Sequence, residues 1–136
     1  MTVGGEDAKP ILIEVGAGDL MDRASILQIK DERIADPEKR ANVRRELLAL
    51  EPARARLLGA FPALGALEAE LKRINETLWD IEDAIRRCEA QGDFGPRFIE
   101  LARAVYQNND RRGALKKTIN VVSGARIVEE KSYDSA

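Results

Sequence analysis

In the second half of the chain, Leu64, Leu67, Leu71, Ile74, Leu78, Ile81, Ile85 and Cys88 recur at alternating spacings of three and four. Phe98, Leu101, Val105, Asn108, Arg112, Leu115, Ile119 and Val122 repeat the pattern. Such spacing keeps one helical face turned toward a partner helix. A glycine-bounded turn at residues 92–95 separates the runs and Pro96 follows it, so the pattern predicts an antiparallel helical hairpin. If the turn sets the register, Ile81 meets Val105, Leu78 meets Asn108, Ile74 meets Arg112, and Leu71 lies near Leu115. An amide and a guanidinium in the middle of an apolar seam must be satisfied inside the protein or face a ligand.

Composition supports the helical reading. With 44% hydrophobic, 34% charged and 4% aromatic residues, the chain suits amphipathic helices better than a sandwich, and 136 residues make one core. The expected division is a flexible lead at 1–10, one helical domain at 11–133 and a tail at 134–136. Twenty-two basic and 24 acidic residues give a net charge of −2 without a dominant basic stripe, so nucleic acid is not an expected partner. No apolar run approaches the roughly 20 residues of a membrane span, and residues 1–18 lack the features of a signal peptide. The expected setting is the cytoplasm, without a membrane partner. Cys88 sits on the seam and reads as a buried structural thiol, and the absence of histidine removes His-based triads and His-containing zinc sites. Neither a cofactor nor a metal site is expected.

Along the chain, Ile11, Leu12, Ile13 and Val15 form a short β-branched run closed by glycines, consistent with one strand. Asp19 can cap a first helix ending near Ala35. Asp36 followed by Pro37 starts a second, which Pro52 should kink or divide. The third begins near Pro62 and stops before Gly92; the fourth runs from Pro96 to about Val122, with Gly124 ending it. Ile127 and Val128 then form an extended tail. The expected fold is mainly α: an antiparallel bundle with a long heptad hairpin, plus a short two-stranded ribbon where the ends meet.

Helical spacing places Asn75, Trp79, Glu82 and Arg86 beside the first seam, and Tyr106, Asn109, Gly113 and Lys116 beside the second. Lys30 shares an inward stripe of the first helix with Leu20, Leu27 and Ile34. Together Lys30, Asn75, Trp79, Glu82, Tyr106, Asn109 and Arg112 form a candidate site for a small anionic or sugar-containing ligand. Arginine suits carboxylate or phosphate, amides suit hydroxyls, and aromatic rings suit stacking. A structural reading stands beside it, in which the polar layer fixes register, Glu82 and Arg112 form a buried ion pair, and Lys30 and Arg23 snorkel. VGAGD lacks the third glycine of a dinucleotide fingerprint, and DFG at 93–95 lacks every other kinase element. Asp80, Glu82 and Asp83 read as solvated charges beside Arg86 and Arg87.

The strings LIEVGAGDLMDRASILQIKDERI, LWDIEDAIR, FIELARAVYQNNDRR, LKKTIN and VEEKSY resemble a group of small bacterial and viral proteins classed as a domain of unknown function. The resemblance spans about residues 11–133. It implies shared positions at Asp19, Arg23, Lys30, Trp79, Glu82, Asp83, Tyr106, Asn109, Asp110 and Arg112 or its neighbour Arg111. It also implies a setting in surface-glycan assembly, because similar segments occur beside glycosyltransferase-like or tetratricopeptide regions. Gly124 and Ala125 stand where relatives usually carry glycine and serine.

RIADPEKRANVRREL also resembles the second-helix start of small helical chorismate mutases, which would imply an enzyme acting on an anionic metabolite. Lys39 and Arg40 replace the expected arginine and glutamate, and Leu27 replaces a lysine. No residue set amounts to a catalytic machine, so a cytoplasmic binding or accessory module is the leading expectation. A protein partner or homodimer, with the bundle as a structural dimerisation module, is the third reading.

Overall fold

A computed structural model describes residues 9–127 and 129–133. It contains α1 (Ala17–Arg33), α2 (Pro37–Ala60), α3 (Leu64–Gln91) and α4 (Pro96–Ser123). Helices α3 and α4 form the long hairpin, α1 lies against both, and α2 packs mainly on α1. The chain is a helical bundle built on the hairpin that the seams predict.

The hairpin turn follows from local chemistry. Gly92 takes φ 66°, a left-handed conformation that glycine adopts without a Cβ penalty. The N–H groups of Gly92 and Asp93 then donate to the carbonyls of Glu89 and Cys88 at 3.1 and 2.9 Å, which ends α3. Asp93 Oδ1 accepts from the Gly95 N–H at 3.1 Å, and Pro96 opens α4. The DFG triplet is thus the turn itself. Asp36 caps α2 as expected, its Oδ2 accepting from the Lys39 N–H at 2.9 Å with Pro37 behind it.

Two apolar clusters fill the hairpin. Near the turn, Ile81, Ala84, Cys88 and Leu101 are buried, with Val105 packed against them. Toward the open end, Leu64, Leu71 and Ile119 join Ala17 and Met21 of α1, and Leu115 packs on this group. Cys88 is a buried free thiol. Between the clusters in sequence lie Asn75 on α3 and Asn108 and Arg112 on α4, where α1 crosses the hairpin.

Three expectations need correction. Of the two outcomes expected at Pro52, a kink or a division, division does not occur, and Pro52 lies inside α2. Only Val43 of that helix is buried and Leu48 is 74% exposed, so the carbonyl left without an N–H partner can bond water. Helix α1 starts at Ala17, ahead of Asp19, because its cap comes from α4, as described below. The two-stranded ribbon is the third. Among the described residues there is no strand, and Val128 lies outside them. The ends nevertheless approach each other: the Arg126 guanidinium pairs with the Glu14 carboxylate, and a Cβ on Gly16 would stand 3.0 Å from the Ile127 carbonyl oxygen. A lone two-stranded ribbon is marginal in water, and side-chain pairing takes its place here. Among the described residues, no helix is long and apolar enough to cross a membrane.

Candidate functional site

Gly18, Asp22, Ser25 and Ile29 recur at spacings of four, three and four, which places them on one face of α1. All four are buried. Asp22 is therefore carried into the hairpin, where a bare carboxylate would be costly. It is fully engaged: Arg112 Nε donates to Oδ1 at 2.9 Å and Nη2 to Oδ2 at 2.5 Å, a fork matched to the carboxylate. Asn75 Nδ2 donates to Asp22 Oδ1 at 2.9 Å and to Ser25 Oγ at 2.8 Å, and Ser25 Oγ donates to the Asp22 carbonyl at 2.8 Å. One polar layer thus ties α1, α3 and α4 together.

Burial pushes the Asp22 carboxyl up, but the hydrogen bonds from Arg112 and Asn75 and the charges of Arg112 and Lys116 outweigh it. The group is held below the usual carboxylate range. The same hydrogen bond raises Arg112 further above its ordinary value. One turn along α4, burial works against the Lys116 ammonium, yet Glu129 at 2.8 Å and Asp19 at 2.9 Å hold its pKa above the usual lysine value.

The glycines of VGAGD allow α1 and α4 to touch. A Cβ on Gly18 would lie 2.5 Å from the Lys116 carbonyl oxygen, so only glycine fits there without movement. Asn120 Oδ1 accepts the Gly18 N–H at 2.8 Å, a cap supplied to α1 by another helix. Phosphate binding is not needed to explain the motif.

Beside the polar layer, Lys30, Asn75, Trp79, Glu82, Asn109 and Arg112 line one cleft of about 540 Å³, with apolar walls from Ile26, Ile29, Leu78 and Val105. Helices α1, α3 and α4 all contribute to it. Tyr106 does not line it and is 55% exposed elsewhere on α4. Three residues before Asn109 puts it about 60° around a helix of 3.6 residues per turn, on the solvent side.

Within the cleft the pairings differ from the sequence expectation. Glu82 lies 3.8 Å from Arg86 on its own helix, while Arg112 pairs with Asp22 and reaches Asn109 Oδ1 at 3.3 Å. The guanidinium of Arg33 stands 5.8 Å from the Trp79 ring centroid and donates to Asp80 at 2.6 Å, so one face of the indole is occupied. Asn108 donates to the Ala104 carbonyl of its own helix at 2.9 Å, a structural role. Gly113 lies beneath the Lys131 side chain, 3.1 Å from the position of an added Cβ. Arg23 pairs with Glu46 on the surface at 3.1 Å. Among the described residues, Lys30 has no carboxylate within salt-bridge distance, although it is half-buried in the cleft wall.

Asp22 is the residue that sequence reasoning missed. Its signal was the spacing of glycine, aspartate, serine and isoleucine along α1, a polar seam that the stronger stripe of Leu20, Leu27 and Ile34 obscured.

A family model described as a family of unknown function, DUF6165, matches residues 11–136. The chain belongs to this family. Comparisons with curated proteins and with solved structures return no match. The family assignment agrees with the expected classification as a domain of unknown function and adds no activity to it.

Proposed function

We propose that the chain is a cytoplasmic binding or accessory module whose cleft between α1, α3 and α4 takes a small anionic or sugar-containing ligand in a bacterial glycan pathway. The convergence of Lys30, Trp79, Glu82, Asn109 and Arg112 from three helices on one cleft carries this reading. Arg112 is already compensated by Asp22, so it serves chiefly to orient Asn109, and attraction for an anion comes from Lys30. Trp79, half-buried in the cleft wall, offers apolar ring surface to a sugar, with Glu82 and Asn109 in the same lining for hydroxyls. The glycan setting rests on the resemblance of the motifs to segments found beside glycosyltransferase-like regions. Pairing of Arg23, Arg112 and Lys116 with carboxylates gives no support to mutase-like chemistry, which needs free cations around a dicarboxylate.

Internal satisfaction of Asp22, Asn75 and Arg112 favours a second reading, a register layer in a purely structural module. A thermal-shift screen of phosphosugars, nucleotide sugars and dicarboxylates separates the two. Binding raises the melting temperature of the wild type, and Trp79→Ala and Lys30→Met each reduce that rise. No rise with any compound at millimolar concentration leaves the structural module.

A further inference from the structure

A larger cleft of about 830 Å³ also reaches Lys30, between the segment at 11–15, α1, α2 and α4. It shares Ile26, Lys30 and Arg112 with the Trp79 cleft. Its character is different. Half-buried Leu20 and Leu50 line one side, with buried Leu27 at its base, and Ile11, Leu12 and Ile13 line the other, 92, 87 and 78% exposed. Three consecutive apolar side chains so exposed on a cleft wall are costly unless something covers them.

The cations lining this cleft are paired with carboxylates except at one point. Arg23 pairs with Glu46, Arg112 with Asp22 and Lys116 with Asp19. Lys30 is the lining cation without a carboxylate partner among the described residues, and it stands where the two clefts meet.

We infer that the two clefts are arms of one site for an anionic amphiphile, with a phosphate-type anion at Lys30, a hydroxylated group toward Trp79 and an apolar chain between Leu20, Leu50 and the segment at 11–15. The inference rests on the proposed ligand-binding role of the Trp79 cleft and adds the apolar arm to it. The occupant is one amphiphile molecule, not a bilayer. A cleft between three helices and the segment at 11–15 suits a single chain, and a protein of net charge −2 is not drawn to an anionic lipid surface.

The test uses isothermal titration of the full chain with ethyl, butyl and octyl phosphate below their micellar concentrations, and with glucose 1-phosphate. Affinity rises at least about tenfold from ethyl to octyl phosphate, since each buried methylene contributes favourably. Leu50→Asp flattens that chain-length dependence, Lys30→Gln weakens every phosphate, and circular dichroism confirms that both variants keep wild-type helicity. Glucose 1-phosphate competes with octyl phosphate, because both place their anion at Lys30. Glucose 1-phosphate binding without any effect of chain length overturns the apolar arm and leaves the proposed function standing; failure of all four probes overturns the amphiphile site, while the proposed function falls only if the wider thermal-shift screen also shows no binding. Simultaneous binding of the two probes refutes the shared anion point. Binding to phosphatidylglycerol vesicles but not to monomeric octyl phosphate refutes the single-molecule occupant.

Discussion

The Asp22–Arg112 pair should respond unequally to removal of its two partners. Side-chain exposure is 7% for Asp22 and 30% for Arg112, so Arg112→Met strands a carboxylate with almost no access to water. Removing one partner of a buried pair costs about 3–5 kcal/mol, and the hydrogen bond retained from Asn75 sets the lower end, about 3 kcal/mol. Asp22→Asn instead leaves a guanidinium that can turn toward solvent and an amide that can still meet Asn75, so about 1–2 kcal/mol is expected. In a domain of this length, the Arg112→Met loss corresponds to a fall in melting temperature of about 6–12 °C. Urea unfolding followed by circular dichroism, with the double variant Asp22→Leu/Arg112→Met completing the cycle, gives the comparison. The double variant should recover most of the loss, because no buried charge is left alone. The Arg112→Met deficit should also shrink as pH falls from neutral toward the unfolded carboxylate value of about 3.9, because burial without the guanidinium raises the stranded carboxyl and lets it take up a proton early. Equal losses from the two single changes, or a double variant no more stable than Arg112→Met, would refute the reasoning.

The wild type should lose stability as pH falls. Asp22 has a depressed folded pKa, so its contribution is complete above the unfolded value of about 3.9 and disappears as pH drops through the lower folded value; Asp22→Asn should flatten that limb of the melting-temperature profile. Gly18→Ala drives a Cβ to within 2.5 Å of the Lys116 carbonyl oxygen and should cost about 1–3 kcal/mol in chemical denaturation, whereas Gly59→Ala, with open space around it, should stabilise α2 by up to about 1 kcal/mol. Glu68 is buried and takes both Arg54 Nε and Nη2, at 2.8 and 2.6 Å, so Arg54→Ala should destabilise more than Arg23→Ala at the exposed Glu46 pair, whose loss should stay within about 0.5 kcal/mol.

The hairpin was legible in the sequence because its causes are local. Seam spacing, Gly92, Pro96 and the Asp36–Pro37 cap each act within a few residues, and they fix where α3 and α4 form, which faces meet and how the turn closes. Most of the candidate site was legible for the same reason: Asn75, Trp79, Glu82, Asn109 and Arg112 share a side of the hairpin by helical geometry alone, and Tyr106 failed only because it lies too far around α4. The choice of partners across the bundle was not legible. Whether Arg112 meets Glu82 or Asp22 depends on how closely α1 approaches α4. That distance is set by Gly18 against the Lys116 backbone and by Asn120 capping α1, a contact between residues far apart in sequence. Similarly, the run at 11–15 has the composition of a strand, but a strand needs a neighbour's backbone to complete its hydrogen bonds. Among the described residues, the approach of the other end supplies an Arg126–Glu14 ion pair in its place. Local periodicity determines the helices; long-range packing decides which buried charge each one meets.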